Sequence, residues 1–283
     1  MTYDEILYEV ADPVATVTLN RPDKLNAFTS KMGDEIRLAV GEAERDPRVV
    51  GIVLTGAGRG FCAGADMNML SGISAGSGGD SDAPSGGAAA TTTAAPPGEA
   101  SWGDDFRGAY TYLMSVPKPI IAAINGPIAG MAVPIALACD LRFMARDAVL
   151  TVAFSQRGLI AEWGVGWLLP RLVGSAAALD LLFSSRKVDG AECERIGLVN
   201  KAVDGNVVDV ARDYIVDLAE HCSPSSMAVM KRQVYQQLHA GLGPAEREAQ
   251  ALMVDSFGRP DFGEGVRSFL DKRLPKFQRL PTE

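Results

Sequence analysis

Residues 49–66 read VVGIVLTGAGRGFCAGAD. Val49 to Leu54 is an unbroken apolar run of strand length. With no polar alternation it suits a strand buried on both faces, as in parallel sheets covered by helices. The glycine-rich turn that follows leads into Phe61-Cys62-Ala63-Gly64-Ala65-Asp66. Small side chains there let another molecule approach the backbone and leave an amide N–H free to donate. A tight strand-to-helix turn with no ligand would carry the same residues, so the stretch speaks for a fold class before it speaks for a function.

The neighbouring segments repeat the pattern. Ile120 to Ile124 is a second buried strand, closed by Asn125-Gly126. Pro127 to Ala132 then runs into an apolar helix from about Met131 to Cys139, and a strand resumes at Leu141. Toward the N-terminus, Val14 to Leu19 reads as a strand and Ser30 to Ala43 as a helix, with Met32, Ile36, Ala39 and Val40 on one face. Strand alternating with helix predicts parallel βαβ units. Phe106 to Ser115 is expected to be helical. From Gly174 onward the pattern is mostly helical: Ser223 with Pro224 opens one helix and Gly241 ends it, and Asp261 and Glu264 have capping-box spacing before a last helix from Gly265 to about Arg273. Residues 71–100 are rich in Gly, Ala, Ser, Thr and Pro and are expected to form a flexible surface loop. The expected layout is an α/β core over residues 1–200, interrupted by 71–100, and a helical segment over 201–283.

Composition narrows the chemistry. The formal charge of −8 argues against general affinity for nucleic acid, and an anionic ligand would need a local basic patch. His221 and His239 are the only histidines, and both fall in polar helical sequence. A histidine triad or histidine metal site is therefore hard to build, and no metal is expected; a carboxylate or backbone groups must carry any reaction. Cys62, Cys139, Cys193 and Cys222 show no metal-ligand spacing and read as reduced thiols. No membrane-length apolar run is evident, and MTYDEILYEV lacks the basic start of a signal peptide, so the cytoplasm is the expected location.

Several segments, in order along nearly the whole chain, resemble the enoyl-CoA hydratase/isomerase (crotonase) superfamily. They are Asn20-Arg21-Pro22-Asp23-Lys24-Leu25-Asn26-Ala27-Phe28, Gly56 to Asp66, Ala122 to Asp140, Phe154 to Gly174, Arg186 to Val199 and Glu264 to Phe277. The resemblance implies an α/β fold, a crotonase-like spiral of ββα/βαβ units with a helical C-terminal trimerisation segment, assembled as a homotrimer or a dimer of trimers. It implies an acyl-CoA thioester as substrate, with no separate cofactor, and an oxyanion hole of two backbone amides, expected at Ala63 and Met131. Contacts to CoA are expected around Arg21, Lys24, Leu25 and Ala27, and from Ala65, Asp66 and Met67. Phe269 and Lys272, with Lys276 as a second candidate, match residues that reach the adenosine of a neighbouring subunit in relatives.

Hydratases of this superfamily use two glutamates, and their places are held here by Pro134 and Phe154, neither of which transfers a proton. Glu162, in Gly158-Leu159-Ile160-Ala161-Glu162-Trp163-Gly164, is the remaining carboxylate. Its apolar flanks are expected to raise its pKa toward the range a proton shuttle needs. Its position resembles that of the glutamate of the Δ3,Δ2-enoyl-CoA isomerase branch, where one carboxylate moves a proton from C2 to C4. The sequence thus favours isomerisation, with a trans-2-enoyl-CoA hydratase, a thioester hydrolase and a non-catalytic acyl-CoA binder as alternatives.

Overall fold

A computed structural model describes residues 2–66 and 97–281. Met67 and most of the expected 71–100 loop lie outside these residues. The chain opens with an antiparallel pair, β1 (Ile6–Ala11) and β2 (Val14–Leu19), followed by α1 (Ser30–Arg45), capped by the Thr29 side chain. Then come β3 (Gly51–Gly56), the short α2 (Tyr112–Ser115), β4 (Ile120–Ile124), β5 (Ile128–Ala129), α3 (Ala132–Ala138), β6 (Leu141–Ala145) and β7 (Val149–Thr151). α4 (Val165–Ser184), β8 (Val188–Asp189), α5 (Gly190–Arg195) and β9 (Lys201–Val203) complete the sheets. Four helices follow: α6 (Val207–His221), α7 (Pro224–Gln237), α8 (Leu242–Phe257) and α9 (Pro260–Asp271).

The main sheet has the order β1-β2-β3-β4-β6-β9, parallel throughout except for the first pair; a smaller sheet has the order β5-β7-β8. The unbroken apolar runs are explained by coverage of both faces of the main sheet. Val53, Ile121 and Ala123 pack with Ala211 and Ile215 of α6. Ile52, Leu54, Ile120 and Ala122 point the other way, into a core shared with α1 and α3. Because successive strand residues face opposite sides, each run fills two cores at once.

Some boundaries differ from expectation. The strand expected over Val49–Leu54 pairs over Gly51–Gly56, since Val50 is tied instead to the Pro13 carbonyl. Helix forms only over Tyr112–Ser115 of the expected 106–115, after two 3-10 turns separated by Gly103 at φ +91°. Ser223 and Pro224 do open α7, but that helix ends at Gln237, and Gly241 is the N-cap of α8. Asp261 does not cap a helix beginning at Gly265. It lies inside α9, which starts at Pro260, and accepts hydrogen bonds from the hydroxyls of Ser223 and Ser225, tying α9 to the start of α7. α4 is long and apolar enough, by length and composition, to cross a membrane, which the sequence reading did not anticipate; however, Gly174 at φ +76°, ψ 161° breaks it in two, and Leu169 and Leu181 are buried in the core.

Candidate active site

The site forms where the loops after β3 and β4 leave the carboxyl ends of parallel strands, a common place for ligands in open α/β sheets. The two loops run side by side. The Phe61 and Cys62 amides donate to the Pro127 carbonyl at 3.1 and 3.2 Å, and the Ala129 amide donates to the Cys62 carbonyl at 3.0 Å. Two asparagines brace the turn from below. Asn26, fully buried, donates to the carbonyls of Ala57 and Gly60, both at 2.9 Å; Asn125 donates to Gly56 and Gly58 at 2.8 and 3.1 Å. Gly126 lies against this turn so closely that a Cβ there would come within 2.1 Å of the Arg59 carbonyl oxygen.

Gly64 makes a second close approach between the loops. It has φ +98°, and a Cβ on it would lie 3.0 Å from the Ala129 carbonyl oxygen and 3.7 Å from the Met131 nitrogen. The segment after Gly64 therefore passes beside the Met131 amide. The Phe28 amide donates to the Gly64 carbonyl at 2.8 Å, and the Asp66 amide to the Phe28 carbonyl at 3.0 Å. These two bonds bracket Ala65 and leave its own N–H outside the ladder. Neither the Ala65 nor the Met131 N–H has an acceptor among the described residues.

This geometry corrects one expectation. The Ala63 amide is not free to hold an oxyanion, because it donates to the Leu25 carbonyl at 2.9 Å. The amide beside Met131 is that of Ala65, which the sequence reading had placed only among the CoA contacts. Arg21 is likewise committed. Its guanidinium donates to the Ala27 carbonyl at 2.6 Å, pairs with Asp66 at 3.0 Å and lies 3.6 Å from Glu5. Arg21 and Asp66 thus fasten the 21–28 turn to the Gly64–Asp66 segment, and Arg21 is not the open cation expected for a phosphate. Lys24 is exposed at the end of the 3-10 turn Pro22–Lys24, followed by Leu25 and Asn26 in left-handed conformation. Exposed Arg59 sits on the adjacent turn, which packs on Pro22 and Leu25 through Gly58 and Gly60. The sequence reading missed Arg59 because it lies in a glycine-rich turn read for its backbone alone.

Glu162 sits in the loop between β7 and α4, half-buried. Burial pushes its carboxyl above the usual carboxylate range, and a hydrogen bond from the Trp163 indole opposes that shift. Trp163 has φ +53° and Gly164 φ +78°, so the loop turns sharply before α4 begins. The Trp163 ring meets the Tyr110 ring edge-on at 5.5 Å, and Tyr110 in turn meets Phe28 at 5.9 Å. A chain of aromatic contacts therefore joins the Glu162 loop to Phe28, which bridges to Ala65. Pro134 and Phe154 are both buried. Cys62 is buried as well, and burial pushes its thiol up to about 11, so it is not a ready nucleophile.

Phe269 lies on α9, 84% exposed, and Lys272 forms the C-cap of that helix. Phe269 lines a cavity of 610 Å³ with Met227, Met230, Phe262, Val266 and Phe277, and no residue of the β3 or β4 loops contributes to it.

The family model described as enoyl-CoA hydratase/isomerase matches residues 9–83 and 77–280. The chain belongs to the enoyl-CoA hydratase/isomerase family. It is 34% identical to a probable enoyl-CoA hydratase of Rhodobacter capsulatus, over 98% of this chain and 99% of that protein. It is 33% identical to the 1,2-epoxyphenylacetyl-CoA isomerase of Escherichia coli, over 96% and 97%. Among solved structures, that of a probable enoyl-CoA hydratase/isomerase from Mycobacterium abscessus superposes with a TM-score of 0.82 at 28% identity, covering 98% of this chain and 99% of that one. The crotonase-like α/β fold with two sheets and C-terminal helices is the fold these relatives share, and the family acts on acyl-CoA.

Proposed function

We propose that this family member isomerises a trans-3-enoyl-CoA to the trans-2-enoyl-CoA, with Glu162 as its single acid and base. The observation that carries the reading is the combination of a half-buried Glu162 with buried Pro134 and Phe154 at the two places where the hydratase resemblance calls for glutamates. The Glu162 carboxylate removes a proton from C2. The C2–H electrons become a C1=C2 bond as the C1=O pair moves onto the thioester oxygen, giving a dienolate with C3=C4 intact; as C1=O reforms, the C1=C2 pair becomes C2=C3 and the C3=C4 pair takes the proton at C4. The Ala65 and Met131 amides donate to that oxygen, and the same carboxyl returns the proton to C4. One carboxylate suffices because the proton that leaves comes back. Hydration would need a second group to position or activate water, so the buried proline and phenylalanine weigh against it. The Escherichia coli relative is a 1,2-epoxyphenylacetyl-CoA isomerase, whereas the Rhodobacter capsulatus relative is a probable enoyl-CoA hydratase.

Lys24 and Arg59 are the exposed cations best placed for the CoA phosphates, with Leu25 and Ala27 offering backbone contacts. The apolar faces of α7 and α9 support assembly with further copies of the chain, in which Phe269 and Lys272 would meet a neighbour's adenosine.

Incubation with a medium-chain trans-3-enoyl-CoA, followed by mass spectrometry with double-bond location, tests the proposal. The expected product has unchanged mass and its double bond at C2. A product heavier by one water would replace isomerisation with hydration, free CoA would replace it with hydrolysis, and an unchanged substrate that binds would leave a non-catalytic binder.

A further inference from the structure

The aromatic chain between the Glu162 loop and the amide segment contains a polar group that the proposed reaction does not use. Tyr110 is 8% exposed, packed edge-on between Phe28 and Trp163. It is near enough to Cys62 on one side and Glu162 on the other for both to act on its ionisation, and burial holds its phenol firmly protonated. A buried phenol ordinarily finds a hydrogen-bond partner. Tyr3 and Tyr235 do so here, donating to Glu42 and Asp140, each at 2.9 Å. The Tyr110 hydroxyl makes no such bond to the described residues, Glu162 included. Nor is it sealed: the Arg232 Nε is the one unpaired side-chain polar atom among the described residues with no access to solvent. The small exposed part of Tyr110 therefore includes its oxygen.

Its surroundings favour a ligand atom as its partner. The groups about it are the Phe28 and Trp163 rings, the buried Cys62 thiol, the Tyr112 phenol and the half-buried Glu162 carboxylate, none of which takes its hydrogen bond, and the neighbouring loops hold the two free amides. A hydrocarbon acyl chain would cover the phenol and leave it unpaired. An acyl chain with an oxygen at the right place would accept its hydrogen bond. We infer that Tyr110 is a specificity-determining donor in the acyl site, and that the preferred acyl-CoA carries an ether, hydroxyl or carbonyl oxygen on its acyl chain beyond the thioester. This rests on the acyl-CoA reading above. Leaving a buried donor unpaired against a hydrocarbon corresponds to roughly tenfold to hundredfold in affinity.

The test is calorimetric binding of saturated acyl-CoAs, which the isomerisation cannot consume. The 3-, 4- and 5-methoxyhexanoyl-CoAs are compared with isosteres in which a methylene replaces the ether oxygen, on the wild type and on Tyr110→Phe. The variant keeps the ring between Phe28 and Trp163, and circular dichroism checks that it is folded. The expected result is that at least one ether binds the wild type about tenfold or more tightly than its isostere. Tyr110→Phe should remove that preference while binding the isostere as well as before or better. Equal affinity for every ether and its isostere overturns the inference, as does a preference that survives in Tyr110→Phe. In either case the thioesters still bind, and the acyl-CoA reading stands. If no thioester binds at all, that reading fails and the inference fails with it.

Discussion

The amide of Ala65, and not that of Ala63, is the donor whose loss should stop the reaction. Replacing residue 65 by lactic acid, through nonsense suppression with the hydroxy acid, turns its N–H into an ester oxygen and leaves the methyl group in place. The structure predicts little structural cost. The bonds that bracket the residue, Phe28 to Gly64 and Phe28 to Asp66, do not use the Ala65 N–H. The catalytic cost is the loss of one oxyanion donor beside Met131, about 3 kcal/mol, or roughly 100-fold or more in kcat. The same replacement at residue 63 breaks the 2.9 Å bond to the Leu25 carbonyl. That should cost about 1 kcal/mol of stability with far less effect on kcat. Steady-state isomerisation of trans-3-hexenoyl-CoA, with thermal melting of both esters, separates the two outcomes. A large kcat loss in the residue-63 ester with an active residue-65 ester would refute the assignment. Small losses in both would mean that the thioester oxygen is held elsewhere.

Three further outcomes follow from the same geometry. Glu162→Gln should lower kcat by about 100-fold to 10,000-fold with acyl-CoA affinity retained, since only the proton transfer is removed; undiminished turnover would exclude Glu162 as the shuttle. The pH profile of kcat/KM should lose activity as pH falls through the pKa of Glu162, which burial raises, and Trp163→Phe should move that acidic limb to higher pH, because the indole hydrogen bond it removes is what lowers the pKa; a limb that stays put or moves down would contradict the described contact. Gly126→Ala should destabilise the protein by about 3 kcal/mol in denaturant melts, because the new methyl would meet the Arg59 carbonyl at 2.1 Å with backbone on both sides; a variant as stable as the wild type would mean that the two loops are not packed as described.

The sequence made the strands and most helices legible because their signals are local. Val14–Leu19 and Ile120–Ile124 coincide with the observed strands, and Ser223-Pro224 opens α7 where capping chemistry requires it. Asp261 shows where local reading stops. Its spacing to Glu264 fits a capping box, yet its carboxylate is held by two serines 36 and 38 residues away, and the helix begins before it. Arg21 shows the same limit for charge: a basic residue near a ligand loop reads as a phosphate contact, and only the fold brings Asp66 and Glu5 to it. The sharpest case is the choice between Ala63 and Ala65. They are chemically identical and two residues apart, separated by Gly64 at φ +98°. What distinguishes them is the partner chain. Leu25 and Asn26, at φ +48° and +54°, bend the 21–28 turn so that its carbonyls reach Ala63 at Leu25 and Asp66 at Phe28, and none reaches Ala65. A donor left free by a bend elsewhere in the chain has no signature at its own position. The same holds for Tyr110, whose unpaired hydroxyl becomes meaningful only once Phe28 and Trp163 are seen on either side of it. In this chain the residues that stay in reserve for a ligand are those whose partners the fold has withheld, and withholding is a property of the pairing between segments, not of the segments themselves.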